Sequence, residues 1–342
     1  MEINKDLLDK IKIVPLIDTL QLEDISDEEY FSTRYSNYLS NSRLSLLKTK
    51  GAKVFFEGLK QDGYNASFDF GTKLHQLVLQ PESFELIQNV FKPTAKAGMV
   101  ADYLYKSDGT TPTDDDIKVA SIKCNYYKDK LTTNRLLEFK NKAESYWRDR
   151  FLFEQENPKT DKERLYSDQK SVETLNNCLD SLQKNVDIQK LLHPEGLLDK
   201  PYYANEKTIL IDFRIEIPGY NEVIYKWKSK LDNFSIDKEE NTITVNDLKT
   251  TSRLAVDFDP TYFSYQREIA IYSYLLKLCC AKFFNLENPK VKGNFLVIST
   301  IPTYNSLVYP MTPKLFKSGW EEFKYLMRTI AYLNIVNNYT FS

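Results

Sequence analysis

The sequence predicts an α/β fold, a central mixed β-sheet flanked by helices with helical additions towards the N-terminus. Two observations predict it. Three strand-like runs follow one another at 208–217, 222–232 and 242–250, and a long helical pattern at about 260–284 then leads to a fourth strand at 294–301 and a closing helix at 313–337. Ahead of the strands, 117–192 is a charged helical stretch with Lys and Glu scattered among Leu and Tyr.

Taken in order, residues 1–36 read as an N-terminal arm rich in charge and Tyr, and 37–342 as a single domain. Within that domain a helical insertion is expected at about 90–200 and the core at about 205–301. Ser40, Asn41 and Ser42 supply helix N-cap oxygens just before Leu44 and Leu47. Residues 71–79 read as a helix with Leu74, Leu77 and Val78 on its apolar side, His75 at the border of that side and Pro81 as its stop. Residues 107–116 form the clearest loop, and Asp114, Asp115 and Asp116 read as a solvated helix start. Trp147, Arg148 and Arg150 lie either on an ordinary exposed helix face or against a nucleic-acid backbone. Residues 233–242, with Asn233, Asp237, Glu239, Glu240 and Asn241, are expected to connect the second and third strands.

Composition narrows the class. The net charge is −2, so no global basic field draws the chain to nucleic acid, and basic residues for that purpose would be confined to a channel. The 23 Tyr and 20 Phe read first as core and strand packing, and secondarily as base-stacking surfaces. Cys124, Cys178, Cys279 and Cys280 lack Cys-x-x-Cys spacing, so neither a zinc site nor a disulfide scaffold is expected. The N-terminal segment lacks the apolar core of a signal peptide, and no run approaches the ~20 apolar residues of a membrane span. A cytoplasmic protein without a membrane partner is the expectation.

The chemistry concentrates on the third strand. Side chains alternate along a strand, so Ile243, Val245, Asp247 and Lys249 share one face. Such a face starts apolar and ends in two charges, which are rarely buried unless paired or bound to a metal. Asp232 ends the preceding strand-like run. Two carboxylates and an ammonium meeting at strand ends suit a divalent cation and a phosphate. To meet Asp247 across an antiparallel hairpin, Asp232 is expected to need a bulge or added twist. The bland alternative is a structural Asp247–Lys249 salt bridge.

Asp232 followed by Asp247-Leu-Lys249 resembles the Asp…(Asp/Glu)-x-Lys signature of the PD-(D/E)XK nuclease superfamily. The segment Phe70-Gly-Thr-Lys-Leu-His75-Gln-Leu-Val-Leu-Gln-Pro-Glu82-Ser-Phe is similar to one in its exonuclease VIII (RecE-like), lambda-exonuclease-like branch, which is phage or prophage encoded. Asn41-Ser42-Arg-Leu-Ser-Leu-Leu-Lys resembles that branch's entrance helix, and Tyr265-Gln-Arg267-Glu268-Ile-Ala-Ile-Tyr272 its helix after the catalytic strand. The matches are islands within about 38–300, with none between 90 and 200. The family pattern has Gln where Glu268 stands, a departure that bears on that helix's usual DNA contact.

The resemblance implies a restriction-endonuclease-like core and a metal-dependent exonuclease that hydrolyses linear double-stranded DNA from the 5′ end. It further implies a homo-oligomer working with a single-strand annealing protein. Mg²⁺ or Mn²⁺ is the expected cofactor, without an iron–sulfur cluster and without zinc. Asp232 and Asp247 are expected as carboxylate ligands, with the Leu248 carbonyl as a backbone ligand. His75 would complete the metal shell or orient its water. Lys249 would help deprotonate the attacking water, with a lowered pKa, or neutralise the phosphate. Arg253 and Ser252 are candidate phosphate contacts or plain loop residues. Tyr272 and Arg267 are candidate DNA contacts or core residues. Glu82 more naturally caps or solvates, and His193 has no assigned role. The alternatives are a structure-specific or single-strand endonuclease of the same fold, or an inactive DNA-binding or assembly protein.

Overall fold

The computed structural model describes residues 4–57, 66–127, 131–194, 201–336 and 338. Parts of the expected arm (1–3), of the insertion (195–200) and of the closing helix (337) lie outside the described residues. In chain order the elements are α1 Lys5–Lys10, β1 Lys12–Glu23, α2 Asp27–Tyr30, α3 Asn41–Glu57, α4 Ala66–Leu79, β2 Phe84–Phe91, α5 Ala95–Leu104, α6 Asp114–Lys123 and α7 Thr133–Glu156. There follow β3 Glu163–Ser167, α8 Gln169–Lys184, α9 Val186–Leu192, β4 Pro201–Glu216, β5 Val223–Asp237, β6 Thr242–Thr251, α10 Tyr265–Phe283, β7 Lys290–Ser299, β8 Ser306–Pro310 and α11 Pro313–Ala331. The chain divides into two units, the first comprising Met1–Lys60, Lys184–Ile301 and Asn305–Ser342, and the second Gln61–Gln183 with Pro302–Tyr304.

The first unit is built on a six-stranded mixed sheet in the order β1-β4-β5-β6-β7-β8. All neighbours are antiparallel except β6 and β7, which are parallel and joined through α10. The expected arm is therefore largely an edge strand: β1 pairs with β4, and Pro15 is tolerated there because an edge strand need not donate on its open side. Strand β5 runs to Asp237, five residues past the expected end, because Phe234 and Ile236 alternate into the core and are fully buried. The connection shrinks to 238–241.

Buried amides pin the register of this sheet. Asn294 donates to Asn246 at 2.9 Å, Asn246 to Asn233 at 2.7 Å, and Asn233 to Asn205 at 2.7 Å. The four are direct cross-strand partners from β7 to β4. A slip of one residue would break every bond in the file and turn each side chain to the other face. Around the sheet, Trp227, Phe213 and Phe323 pack edge to face, with Trp227 5.3 Å from Phe323 and 6.2 Å from Phe213.

The second unit carries a parallel pair, β2 with β3, and helices α4 to α8. The helical pattern of 117–192 is thus interrupted by β3. The Asp114–Asp116 segment does start a helix: Thr113 and Asp116 form a reciprocal capping box. Pro81 follows the end of α4 at Leu79. Trp147 is buried, its indole N–H donating to the Ala101 carbonyl at 2.9 Å. Arg150 lies 3.9 Å from the Tyr105 ring centre and 4.2 Å from that of Tyr166. It donates to Glu154 at 2.9 Å, to Asp102 at 3.3 Å and to the Tyr146 hydroxyl at 2.9 Å. Glu154 also accepts from Tyr105 and Tyr166, and Asp102 from Lys92 and Tyr146. Of the three residues considered for a nucleic-acid backbone, only Arg148 is exposed.

Candidate active site

The site grows from strand register. β5 and β6 pair from Asp237↔Thr242 to Asn233↔Asn246, and the next step of that register sets Asp232 opposite Asp247. No bulge is needed. The β5–β6 ladder ends at Asn233↔Asn246, one residue short of that step, and the Asp232 carboxylate accepts the Leu248 N–H at 2.8 Å. Further along β5, Leu39 takes up the backbone groups that β6 leaves: its N–H donates to the Lys226 carbonyl at 2.8 Å and its carbonyl accepts from Lys228 at 2.9 Å.

On the other side of β5, β4 pairs at Asn205↔Asn233 and Lys207↔Leu231, so Glu206 stands opposite Asp232. Their carboxylates approach within 4.8 Å. Glu206 adopts φ 55°, a left-handed conformation uncommon for a residue with a side chain. Like charges directly across strands repel. Burial, then the charge of Asp232, pushes the Glu206 carboxyl up to about 7 against the pull of Lys230, 3.0 Å away. Lys230 also pairs with Asp27.

Across β6, the Lys249 ammonium stands 2.7 Å from Asp247 Oδ2 and 3.2 Å from Glu268 Oε2, the latter carried by α10. Tyr272, one turn on, donates to Glu268 at 2.9 Å. Asp247 is buried with 1% of its side chain exposed, and its Oδ2 receives no well-directed hydrogen bond, the lysine contact being an ion pair. Burial raises the Asp247 carboxyl well above the usual range, and Glu268 and Asp232 add to it against Lys249. For Lys249 burial works the other way, but Asp247, Glu268 and Asp232 outweigh it and hold the ammonium well above its ordinary pKa. A lowered lysine pKa was expected beside a cation. The neighbours that the chain itself supplies are carboxylates, and without a cation they push the ammonium upwards.

Four carboxylates (Glu206, Asp232, Asp247 and Glu268) thus face two ammonium groups, Lys230 and Lys249. A carboxylate-rich set of donors with one buried oxygen short of a directed hydrogen bond fits a hard divalent cation such as Mg²⁺ or Mn²⁺. Asp232, Asp247 and Lys249 are brought together as the sequence pattern requires, and Leu248 lies between the last two with its N–H on Asp232. His75 is on α4, in the second unit. Ser252 and Arg253 are exposed just past the end of β6.

The α10 candidates are spent internally. Arg267 is fully buried, donating to Asn41 Oδ1 at 2.7 Å, Ser45 at 2.6 Å and Glu322 at 3.0 Å, which ties α10 to the start of α3 and to α11. Tyr272 is buried against Glu268. Two members escaped the sequence reading. Glu268 was noted but given no role, and Glu206 was not considered. The polar triplet Asn205-Glu206-Lys207 was the available signal, but it reads as a strand boundary until the register with Asp232 is known.

No family model matches the chain, and no curated protein matches it. Among solved structures, the crystal structure of a "Putative exonuclease" from Eubacterium rectale aligns over 91% of this chain and 86% of that one, at 13% identity and a TM-score of 0.39. The site is read from its own geometry. No helix among the described residues is long and apolar enough to cross a membrane.

Proposed function

We propose that this protein is a metal-dependent DNA exonuclease of the PD-(D/E)XK type that hydrolyses linear double-stranded DNA, with 5′ to 3′ polarity. One observation carries the reading: the carboxylates of Glu206 and Asp232 lie within 4.8 Å of each other beside the end of the β5–β6 ladder, where Asp247 follows with Lys249 2.7 Å from it. A bound divalent cation supplies charge neutralisation of the phosphate and a hydroxide-like water at neutral pH. Asp232 and Asp247 hold it, Glu206 adds a third carboxylate, and the Leu248 carbonyl and His75 complete the set on the strength of the resemblance.

Lys249 acts in this reading as a standing positive charge. With Asp247 and Glu268 beside it, its ammonium donates to a phosphate oxygen or to the attacking water and offsets charge that builds up at phosphorus. Glu268 and Tyr272 fix the direction of that ammonium. Arg253 and Ser252, exposed past β6, hold a backbone phosphate in this reading. A homo-oligomer and an annealing partner belong to the same proposal.

The test is digestion of a 5′-labelled linear duplex beside a closed circle in Mg²⁺, Mn²⁺ or EDTA, with the wild type and Lys249→Ala. Loss of the linear DNA alone, dependent on metal and on Lys249 and with early release of label, is the expected result. Nicking of the circle would move the assignment to an endonuclease. Metal-independent binding of DNA without cleavage would leave a binding protein.

A further inference from the structure

The segment between β6 and α10 exposes large apolar side chains next to the site. Tyr262 and Phe263 are 69% and 63% exposed, and Leu254 40%. Such exposure on a loose loop would be unremarkable. Here the turn is fixed: Asp259 Oδ1 accepts from the Thr261 N–H and hydroxyl at 2.8 and 2.7 Å, and the Tyr265 N–H donates to the Pro260 carbonyl at 2.8 Å. Ser264, in a left-handed conformation, accepts from Lys48 at 2.7 Å, and Lys48 is held by Glu322 at 2.9 Å.

The exposed rings continue inward as one aromatic file. Tyr262 meets Phe263 edge-on at 4.6 Å, Phe263 lies 5.5 Å from Tyr265, and Tyr265 stacks on buried Phe258 at 5.9 Å and 7°. The Lys249 ammonium sits 5.0 Å from the centre of the Tyr265 ring. At the outer end, the Arg253 guanidinium is 5.8 Å from Tyr262. Rigid, exposed aromatic faces with a cation beside them are what unpaired nucleobases and their phosphates require, since every base has a π-face and each is followed by a negative charge. A neutral protein surface would not call for the arginine.

We propose that Tyr262, Phe263 and Arg253 form a stacking platform for unpaired bases of a single DNA strand, holding that strand in line with Lys249. The proposal rests on the nuclease reading and names how the same site grips its substrate. Bases stack on Tyr262 and Phe263, Arg253 pairs with the adjoining phosphate, and the file of rings sets the distance to the catalytic lysine.

The test is equilibrium binding, in EDTA so that no cleavage intervenes, of a fluorescein-labelled 12-nucleotide single strand and of the same strand with abasic positions. Wild type is expected to bind the intact strand about tenfold more tightly than the abasic one. Tyr262→Ala/Phe263→Ala is expected to lose about that factor on the intact strand and to bind both strands alike. Tyr262→Trp is expected to keep the preference, with its fluorescence quenched by the intact strand only. Equal wild-type affinity for the two strands, or an unchanged preference in the double variant, would overturn the platform. So would a double variant whose only change is its mass in sedimentation, which would make the ledge a protein interface. Digestion of linear duplex by the wild type is scored separately. A platform that fails while digestion succeeds leaves the nuclease reading in place, and base-selective binding without digestion removes the nuclease reading alone.

Discussion

Two half-buried polar clusters of this protein differ in how completely they are satisfied. Around Arg150, each charge has opposite charges or hydroxyls directed at it, and the guanidinium is clasped by the rings of Tyr105 and Tyr166. The carboxylate of Glu154 is held below its usual pKa, because the Arg150, Tyr105 and Tyr166 hydrogen bonds outweigh the cost of burial. Around Asp232, like charges face one another across strands, Glu206 has a left-handed backbone, and Asp247 Oδ2 lacks a directed hydrogen bond. The first cluster is complete as it stands and serves the structure of its unit. The second leaves like charges facing one another, and backbone conformation and pKa are displaced there.

That contrast can be broken by mutation. The largest effect on stability is expected from Arg150→Ala, which takes the shared cation from half-buried Asp102 and Glu154 and should cost about 2–3 kcal/mol in urea denaturation. An unchanged midpoint would mean that the network is ornamental. Next, Lys249→Ala should lower the rate of linear-duplex digestion by about 10²–10³-fold, and because it also takes the cation from Asp247 and Glu268 the rates are compared at equal folded fraction. Asn246→Ala leaves its neighbours Asn233 and Asn294 each short of a hydrogen bond, so a loss of about 1–3 kcal/mol is expected together with lower activity from a loosened register. The smallest effect should be a gain: Glu206→Gln relieves the repulsion with Asp232 and should stabilise the metal-free protein at pH 8 by about 1 kcal/mol.

The same residue gives the contrast a pH signature. The folded pKa of Glu206, about 7, lies above its unfolded value of 4.5. Between those values the folded state binds more protons, so this group's contribution favours folding at low pH and is lost as pH rises from about 4.5 to about 7. Denaturation series across that window should show the loss in the wild type and a flatter profile in Glu206→Gln. Parallel profiles would remove Glu206 from the displaced set.

How far the sequence carries depends on whether a feature is local. Asp232, Asp247 and Lys249 are legible because a strand's alternation and a short spacing place them. Phe234 and Ile236 were equally local, but Asn233 and Asp237 around them, with Glu239, Glu240 and Asn241 beyond, resembled a turn and shortened β5. Glu206 is illegible alone, since only its register with a residue on the next strand gives it meaning. Strand β1 was hidden by Pro15 and its charged flanks, a pattern that suits an edge and argues against an interior strand. Strand β3, between two long helices, has too few residues for its period to stand out. Arg267 had the residue type of a DNA contact, and its burial follows from Asn41 and Glu322, both far away in sequence.

The file of amides from Asn294 to Asn205 also supplies a clock. Three of its NH₂ groups each have a proton tied in a bond to the next asparagine, and Asn233 and Asn246 are almost entirely shut off from water. Such protons trade with deuterium only when neighbouring strands part. Their side-chain resonances would therefore time the breathing of β4 to β7 directly beneath the carboxylate row, and a cation that fastens the row from above should slow that clock before any product is formed.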